Sequence, residues 1–170
     1  SIGYIGLAEC LYALIGHHYG ECREAHERGW EIAAHLRLFC ENMGHRTNLN
    51  VTCYATPAEG LSGRFVQIDR EKYGIIPGVT EYEFYTNSFH VPVYYSISIA
   101  DKIAVEGPFH KFHDAGHISY IELDAPLEHN PQALEKIHRL MSEADMGYAG
   151  VNFPIDECES CAHHGILGNT

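Results

Sequence analysis

Apolar residues return at helical intervals in the opening stretch YIGLAECLYALIG, where Ile5, Ala8, Leu11 and Leu14 share one stripe and Gly16 closes it. The pattern predicts a short buried helix. In ECREAHERGWEIAAHLRLFCENMG, Ala25, Ile32, Leu36 and Phe39 lie on one face and charges on the other, and Gly44 stands where a C-terminal cap belongs. This predicts a long amphipathic helix. LNVTCYA alternates and is rich in β-branched residues, which predicts a strand, and TPAEGLSGRFVQIDREKYG is helical. GVTEYEFYTNSFHVPV is an extended, proline-punctuated loop with some strand. HISYIEL is a second strand, NPQALEKIHRLMSEADMG a helix with Asn130 as its cap and Pro131 at its first position, and YAGVNFP a third strand. Strands alternating with helices of ten or more residues imply βαβ units, a largely parallel sheet and an α/β fold.

Composition adds bounds to this picture. A chain of 170 residues fits one domain and buries a real core; its 45% hydrophobic and 20% charged content is that of an ordinary globular protein. No apolar run approaches the ~20 residues of a membrane span, and Ser1 opens on SIGYIGLAECLYALIG without the basic region or cleavage site of a secretory leader. Cys10, Cys22, Cys40 and Cys53 are scattered singly through periodic segments, as expected of reduced core thiols in a cytoplasmic protein. The formal net charge of −12 argues against nucleic acid or an anionic membrane as a partner. A small phosphorylated ligand stays open, because a helix N-terminus can hold it without basic side chains.

Four stretches carry candidate chemistry. In CYATPAEG, Thr56 follows a strand, Pro57 falls at the first helical position and Glu59 stands three residues beyond Thr56, which together make a capping box. The turn is then either an ordinary helix start or a phosphate cradle at Ala55, Thr56, Pro57, Ala58 and Glu59, since it joins a strand's C-terminal end to a helix and Ala58 lets a ligand approach the backbone. Tyr85, Thr86, Asn87 and Ser88 form a polar cluster that either lines a pocket or satisfies turns. His110, His113 and His117 are spaced as metal ligands could be, while GHHYG is expected to be a solvent-exposed turn. Cys158 and Cys161 form a C-x-x-C knuckle in an acidic setting, which favours structural zinc over thiol redox. Two further ligands are needed: either His163 and His164 supply them, or they come from outside this sequence.

The blocks SIGYIGLAE, YATPAEGLSGRF, YGIIPGVTEYEFYTNSFHVPV, DKIAVEGPF, GHISYIEL and VNFPIDECESC resemble, in order and spacing, the C-terminal half of the catalytic subunit of anaerobic (class III) ribonucleoside-triphosphate reductases. The resemblance runs from Ser1 to about Cys161. It implies that residues 1–155 are part of a ten-stranded α/β barrel of the glycyl-radical type and that 156–170 begin a zinc-binding segment. It also implies reduction of ribonucleoside triphosphates by glycyl and thiyl radical chemistry in a homodimer activated by a radical-SAM enzyme, in the cytoplasm. Family members close the zinc site with a second C-x-x-C and store the radical on a glycine further along. The sequence stops at Thr170 before either, so the radical residues are expected outside it and none of its six cysteines is assigned the thiyl role. Ala162 and His163 replace a common glycine and aromatic, and Gly116–His117 a common Gly-Gly. Two other classes stay open: a stand-alone nucleotide-binding or regulatory protein built from the barrel segment, and a small metal-dependent hydrolase using the histidines.

Overall fold

The computed structural model describes residues 1–123 and 130–153, together with two short strands at Asp156–Glu157 and His164–Gly165; the side chains of Glu59 and of these last strands fall outside the description. The chain opens with a strand, β1 (Ile2–Tyr4), that helical periodicity alone conceals, followed by α1 (Leu7–Ile15) and α2 (Arg23–Thr47). Strand β2 (Cys53–Ala55) pairs in parallel with β1, and α3 (Glu59–Tyr73) follows it. After a long irregular stretch come α4 (Ile99–Glu106), a 3-10 segment at Gly107–Phe112 and β3 (Ser119–Glu122). Helix α5 (Pro131–Glu143) then leads to β4 (Ala149–Asn152), which pairs in parallel with β3. The two strands β5 (Asp156–Glu157) and β6 (His164–Gly165) pair antiparallel, and Cys158 and Cys161 between them lie outside the described residues.

Two βαβ crossovers therefore make an α/β fold, as the alternation of periodicities predicts. A single parallel bridge, Tyr54↔Ala115, joins β2 to the run entering β3. Asp114 N–H donates to Cys53 O at 2.9 Å and Ala55 N–H to Ala115 O at 3.1 Å. The chain then turns at Gly116, whose φ is +75°. A Cβ there would meet Ala55 O at 2.2 Å and the Tyr54 ring at 2.7 Å, so only glycine allows this approach. Ser119 and Ile121 of β3 are buried beneath helices, whereas Tyr120 and Glu122 leave its other face open.

The main core gathers Leu7, Leu11, Tyr19, Phe89 and Phe109, with a second cluster of Ile103, Ile121, Ile137 and Met141 between α4, β3 and α5. Helix α2 buries Ala25 of the stripe read from the sequence, with Ile32 half-buried against the core, but its other buried positions are Gly29, Ala33 and Cys40, and Phe39 is exposed. The small stripe is what admits a close neighbour: a Cβ on Gly29 would stand 3.1 Å from Leu11 Cδ1. Leu14 likewise ends exposed, because α1 turns its Leu7, Ala8 and Leu11 side inward. Gly44 does not cap α2. The helix runs on to Asn48, in the left-handed region at φ 53°, and Gly44 makes room for the returning Leu49 carbonyl, 3.1 Å from where its Cβ would be.

GHHYG is no exposed turn, since His18 and Tyr19 are both buried; His18 packs edge-on against Tyr95 with ring centroids 4.6 Å apart. Of the four expected core thiols, Cys40 and Cys53 are buried and Cys10 and Cys22 exposed, all four free. The expected Asn130 cap forms, its side chain accepting Ala133 N–H at 3.1 Å. Among the described residues, no helix is long and apolar enough to cross a membrane.

Replacing Gly116 by Ala is expected to lower stability by about 2 kcal/mol or more, through strain at positive φ and collision with the β2 backbone. Urea unfolding of the two proteins checks it; coincident midpoints would show that the turn relaxes freely.

Candidate functional site

Strand β2 delivers Ala55 and Thr56 to its C-terminal end, and the chain passes through Pro57 and Ala58 before α3 begins at Glu59. The capping box does not form. Helix α3 starts later than the box requires, with Ala58 rather than Thr56 at the N-cap, and no side-chain oxygen from the cap reaches the first turn. Two contacts explain the shift. Thr56 Oγ1 lies over Gly3, only 2.0 Å from where a Cβ on that residue would stand. The Ala58 N–H is taken by a carboxamide from elsewhere, donating to Asn87 Oδ1 at 3.1 Å.

Asn87 belongs to a segment, 85–91, that is largely buried yet lies outside the named strands. Ile5 and Asn87 form an isolated antiparallel bridge, and Gly6 N–H donates to Thr86 O at 2.7 Å. The Thr86 N–H and hydroxyl both donate to Glu9 Oε1, at 2.9 and 2.7 Å. Glu9 is buried and its other oxygen has no partner; burial raises its pKa, and the Thr86 hydrogen bonds offset that only in part. The Tyr85 hydroxyl donates to Asp69 Oδ2 at 2.7 Å. Ser88 is fully buried at φ 39°, and the His90 ring lies between the carbonyls of Asn87 and Ile118, at 3.0 and 2.6 Å.

The turn and this segment share their surroundings. A cavity of about 250 Å³ is lined by Pro57, Tyr85, Thr86, Asn87 and His90 together with Gly116, Lys102, Tyr120 and Glu122. Ser88 is not on its wall and is fully buried instead. On the other side of the turn, Thr56 and Tyr85 border a larger and mostly apolar hollow of about 430 Å³ with Gly3, Glu9, Cys10 and Phe65. Ala55 and Ala58 are buried and shape the backbone rather than either wall. Lys102, a basic side chain on the smaller cavity, donates to Tyr120 O and lies 3.9 Å from Glu106 Oε1. Of the turn itself, Pro57 borders this cavity, immediately before the N-cap of α3.

His110 and His113 are bound into the framework, whereas His117 Nδ1 is buried with no hydrogen-bond partner among the described residues. His110 Nδ1 accepts Gly147 N–H at 3.2 Å, its Nε2 lies 3.0 Å from Ser119 Oγ, and that hydroxyl donates to Glu106 Oε2 at 2.6 Å. Glu106 Oε1 accepts Val91 N–H at 2.9 Å, so this buried network closes on the same 85–91 segment. His113 Nδ1 faces Phe109 O at 2.9 Å, and its Nε2 lies 2.9 Å from the Tyr4 hydroxyl. With Nδ1 donating to a carbonyl, Nε2 accepts from the tyrosine, and neither His110 nor His113 keeps a lone pair for a metal. Among the described residues no group of three metal-ligating side chains occurs. The metal-dependent hydrolase reading is thereby corrected.

Sequence reasoning missed Glu9, Glu106, Lys102 and helix α4. A signal for α4 was present: Ser98 Oγ accepts Asp101 N–H at 3.1 Å in a Ser-x-x-Asp start. Nothing local marks Glu9 or Glu106, whose partners are 77 and 15 residues away.

Comparison with known proteins places this arrangement. A family model described as anaerobic ribonucleoside-triphosphate reductase matches residues 1–169. The enzymes of that name from Enterobacteria phage T4 and Salmonella typhimurium are 40% and 36% identical to this chain over 161 and 166 residues. These matches cover 95% and 97% of this chain but 25% and 23% of the relatives, so the chain spans about a quarter of their length. Among solved structures, an anaerobic ribonucleotide reductase superposes with a TM-score of 0.79 at 19% identity, over 96% of this chain and 26% of that one. The Thermotoga maritima enzyme in complex with dATP and CTP gives 0.78 at 19%, over 96% and 27%.

Burial holds the His110 and His113 pKa values down at about 4, against roughly 6.5 in an unfolded chain. The unfolded state therefore binds more protons between those values. Stability from these two groups is complete above about pH 6.5 and is lost as the pH falls toward 4. Thermal midpoints of the wild type and of His113→Gln between pH 7.5 and 4.5 check this: the variant should lose less on acidification, and parallel curves would contradict it.

Proposed function

Since the chain belongs to the anaerobic ribonucleoside-triphosphate reductase family, we propose that it forms one section of a reductase subunit that converts ribonucleoside triphosphates to deoxyribonucleotides, and that its part is to hold substrate phosphate. The observation that carries this reading is the start of α3. A strand ends, the N-cap is an alanine without a capping oxygen, and the turn borders a cavity with a lysine in its wall. Phosphate oxygens would accept from N–H groups that ordinary helices satisfy with a cap, gaining about 0.3–2 kcal/mol from the helix dipole. Ala55, Thr56, Pro57, Ala58 and Glu59 supply the backbone of this cradle, and Tyr85, Thr86 and Asn87 border it.

Parallel sheets are ordinarily covered on both faces. Here helices cover the Ser119 and Ile121 side of β3, while Tyr120 and Glu122 on the other face are open, with Asn152 Nδ2 3.5 Å from Glu122 Oε1. A ten-stranded barrel would place that polar face inside, toward the nucleotide. Residues 1–155 are assigned to such a barrel and 156–170 to the start of a zinc segment. In the intact enzyme a glycyl radical would supply the oxidising equivalent through a cysteine; neither role is given to a residue of this chain. Its own residues bind and orient the substrate and exclude water from it. The subunit would work in the cytoplasm as a homodimer, with a radical-SAM enzyme as activating partner. Cys158 and Cys161 are assigned as two thiolates of a structural zinc site, the remaining ligands being supplied by another segment.

In the intact subunit, Ala58→Phe is expected to raise the KM for nucleoside triphosphate ten-fold or more by filling the approach to the turn. An unaltered KM would remove the phosphate assignment. Metal analysis addresses the knuckle: Cys158→Ser should lose zinc, and full retention would place the ion elsewhere.

A further inference from the structure

The turn that opens α3 has no cap of its own, yet its first N–H is held. Asn87 Oδ1 accepts it at 3.1 Å from 29 residues away. Asn87 is in turn fixed by its neighbour: Thr86 makes three hydrogen bonds, two of them to the buried carboxylate of Glu9 and one from Gly6 N–H. Gly6 and Glu9 flank the start of α1, directly after β1, which is paired with β2. A closed chain of contacts therefore runs from α1 through Thr86 and Asn87 to Ala58, and back through the β1–β2 pair.

We propose that Asn87 is a positioning residue for the phosphate turn, holding Ala58 so that the N–H groups after it face the ligand, and that Glu9 and Thr86 set the position of Asn87. This rests on the phosphate reading above. A carboxamide suits the task. Its oxygen takes one N–H without adding the negative charge that an aspartate would set against a triphosphate. The Thr86 N–H and hydroxyl both donate to the buried Glu9 carboxyl, and hydrogen bonds shielded from water are stronger than exposed ones, which makes Glu9 a firm anchor. Glu9 itself is buried beside the mostly apolar hollow.

The test uses three substitutions in the intact subunit: Asn87→Ala, Thr86→Val and the pair together. Thr86→Val keeps the N–H bond to Glu9 and removes only the hydroxyl bond. The expected result is a KM for nucleoside triphosphate raised about ten-fold by Asn87→Ala and about three-fold by Thr86→Val, with kcat within two-fold. The double variant should be no worse than Asn87→Ala, because both act through the Ala58 N–H. Inorganic triphosphate binding should weaken in parallel, and amide hydrogen exchange in the peptide spanning 55–60 should quicken in Asn87→Ala. Additive effects in the double variant would overturn the proposal in favour of direct contact between Asn87 and substrate. An unchanged KM in Asn87→Ala overturns it while leaving the phosphate site standing, provided that Ala58→Phe still raises KM. If neither variant moves KM, the phosphate reading itself falls. Should Asn87→Ala fail to fold, Thr86→Val alone decides: no change in KM or in exchange at 55–60 would refute the brace.

Discussion

A stretch of irregular chain, 85–91, runs through the interior, and its polar groups must find partners without water. Thr86, Ser88, Phe89 and Val91 are all buried. A backbone N–H left unpaired in such a place costs on the order of 1–3 kcal/mol. The protein meets the demand with two buried carboxyl groups: Glu9 takes the Thr86 N–H and Glu106 takes that of Val91. The Tyr19 hydroxyl donates to the His90 carbonyl. Glu106 is completed by Ser119, and Ser119 by His110, so a polar network extends from this one segment to β3 and to the loop before β4.

The same segment organises the apolar core. Phe89 is stacked on Phe109 with an interplanar angle of 2° and touches the rings of His90, His110 and His113. Burying two phenylalanines is worth roughly 1.5–3 kcal/mol each. That apolar gain accompanies the polar pairing and makes His110 and His113 a neutral part of the core. Arg37, reaching from α2 to Asp114, ties the helical layer to the chain beside β2. Burial would raise the Asp114 pKa, but the Arg37 guanidinium and the Cys53 N–H outweigh it and leave it below the usual carboxylate range.

These constraints bear directly on the turn proposed to hold phosphate. A net charge of −12 gives no general attraction for a triphosphate, so local geometry would have to hold it. The start of α3 has Ala58 at its N-cap, with the Ala58 N–H held by Asn87 Oδ1. Rigid placement matters because oriented dipoles act on a ligand only to the extent that they need no reorganisation when it arrives.

Periodicity in the sequence determined the order of most elements, the parallel α/β class and the Asn130 start of α5, since each depends on contacts within a few residues. The unusual blocks TPAEG and YTNSFHVPV also carried the family likeness and pointed to the turn and the segment that meet at the smaller cavity. Short strands such as β1 escaped, because three residues contain too little alternation to compete with the helical pattern that follows. The capping box was misleading for a related reason. Thr56, Pro57 and Glu59 satisfy every local rule for a helix start, and a carboxamide 29 residues onward displaced that start. Tertiary structure alone decided that His18 lies in the core, that α2 packs through Gly29 and Ala33, and that Glu9 is buried against Thr86. Local preference is worth tenths of a kcal/mol per residue, whereas pairing a buried N–H or seating an aromatic ring is worth several times more, and partners for those lie far along the chain.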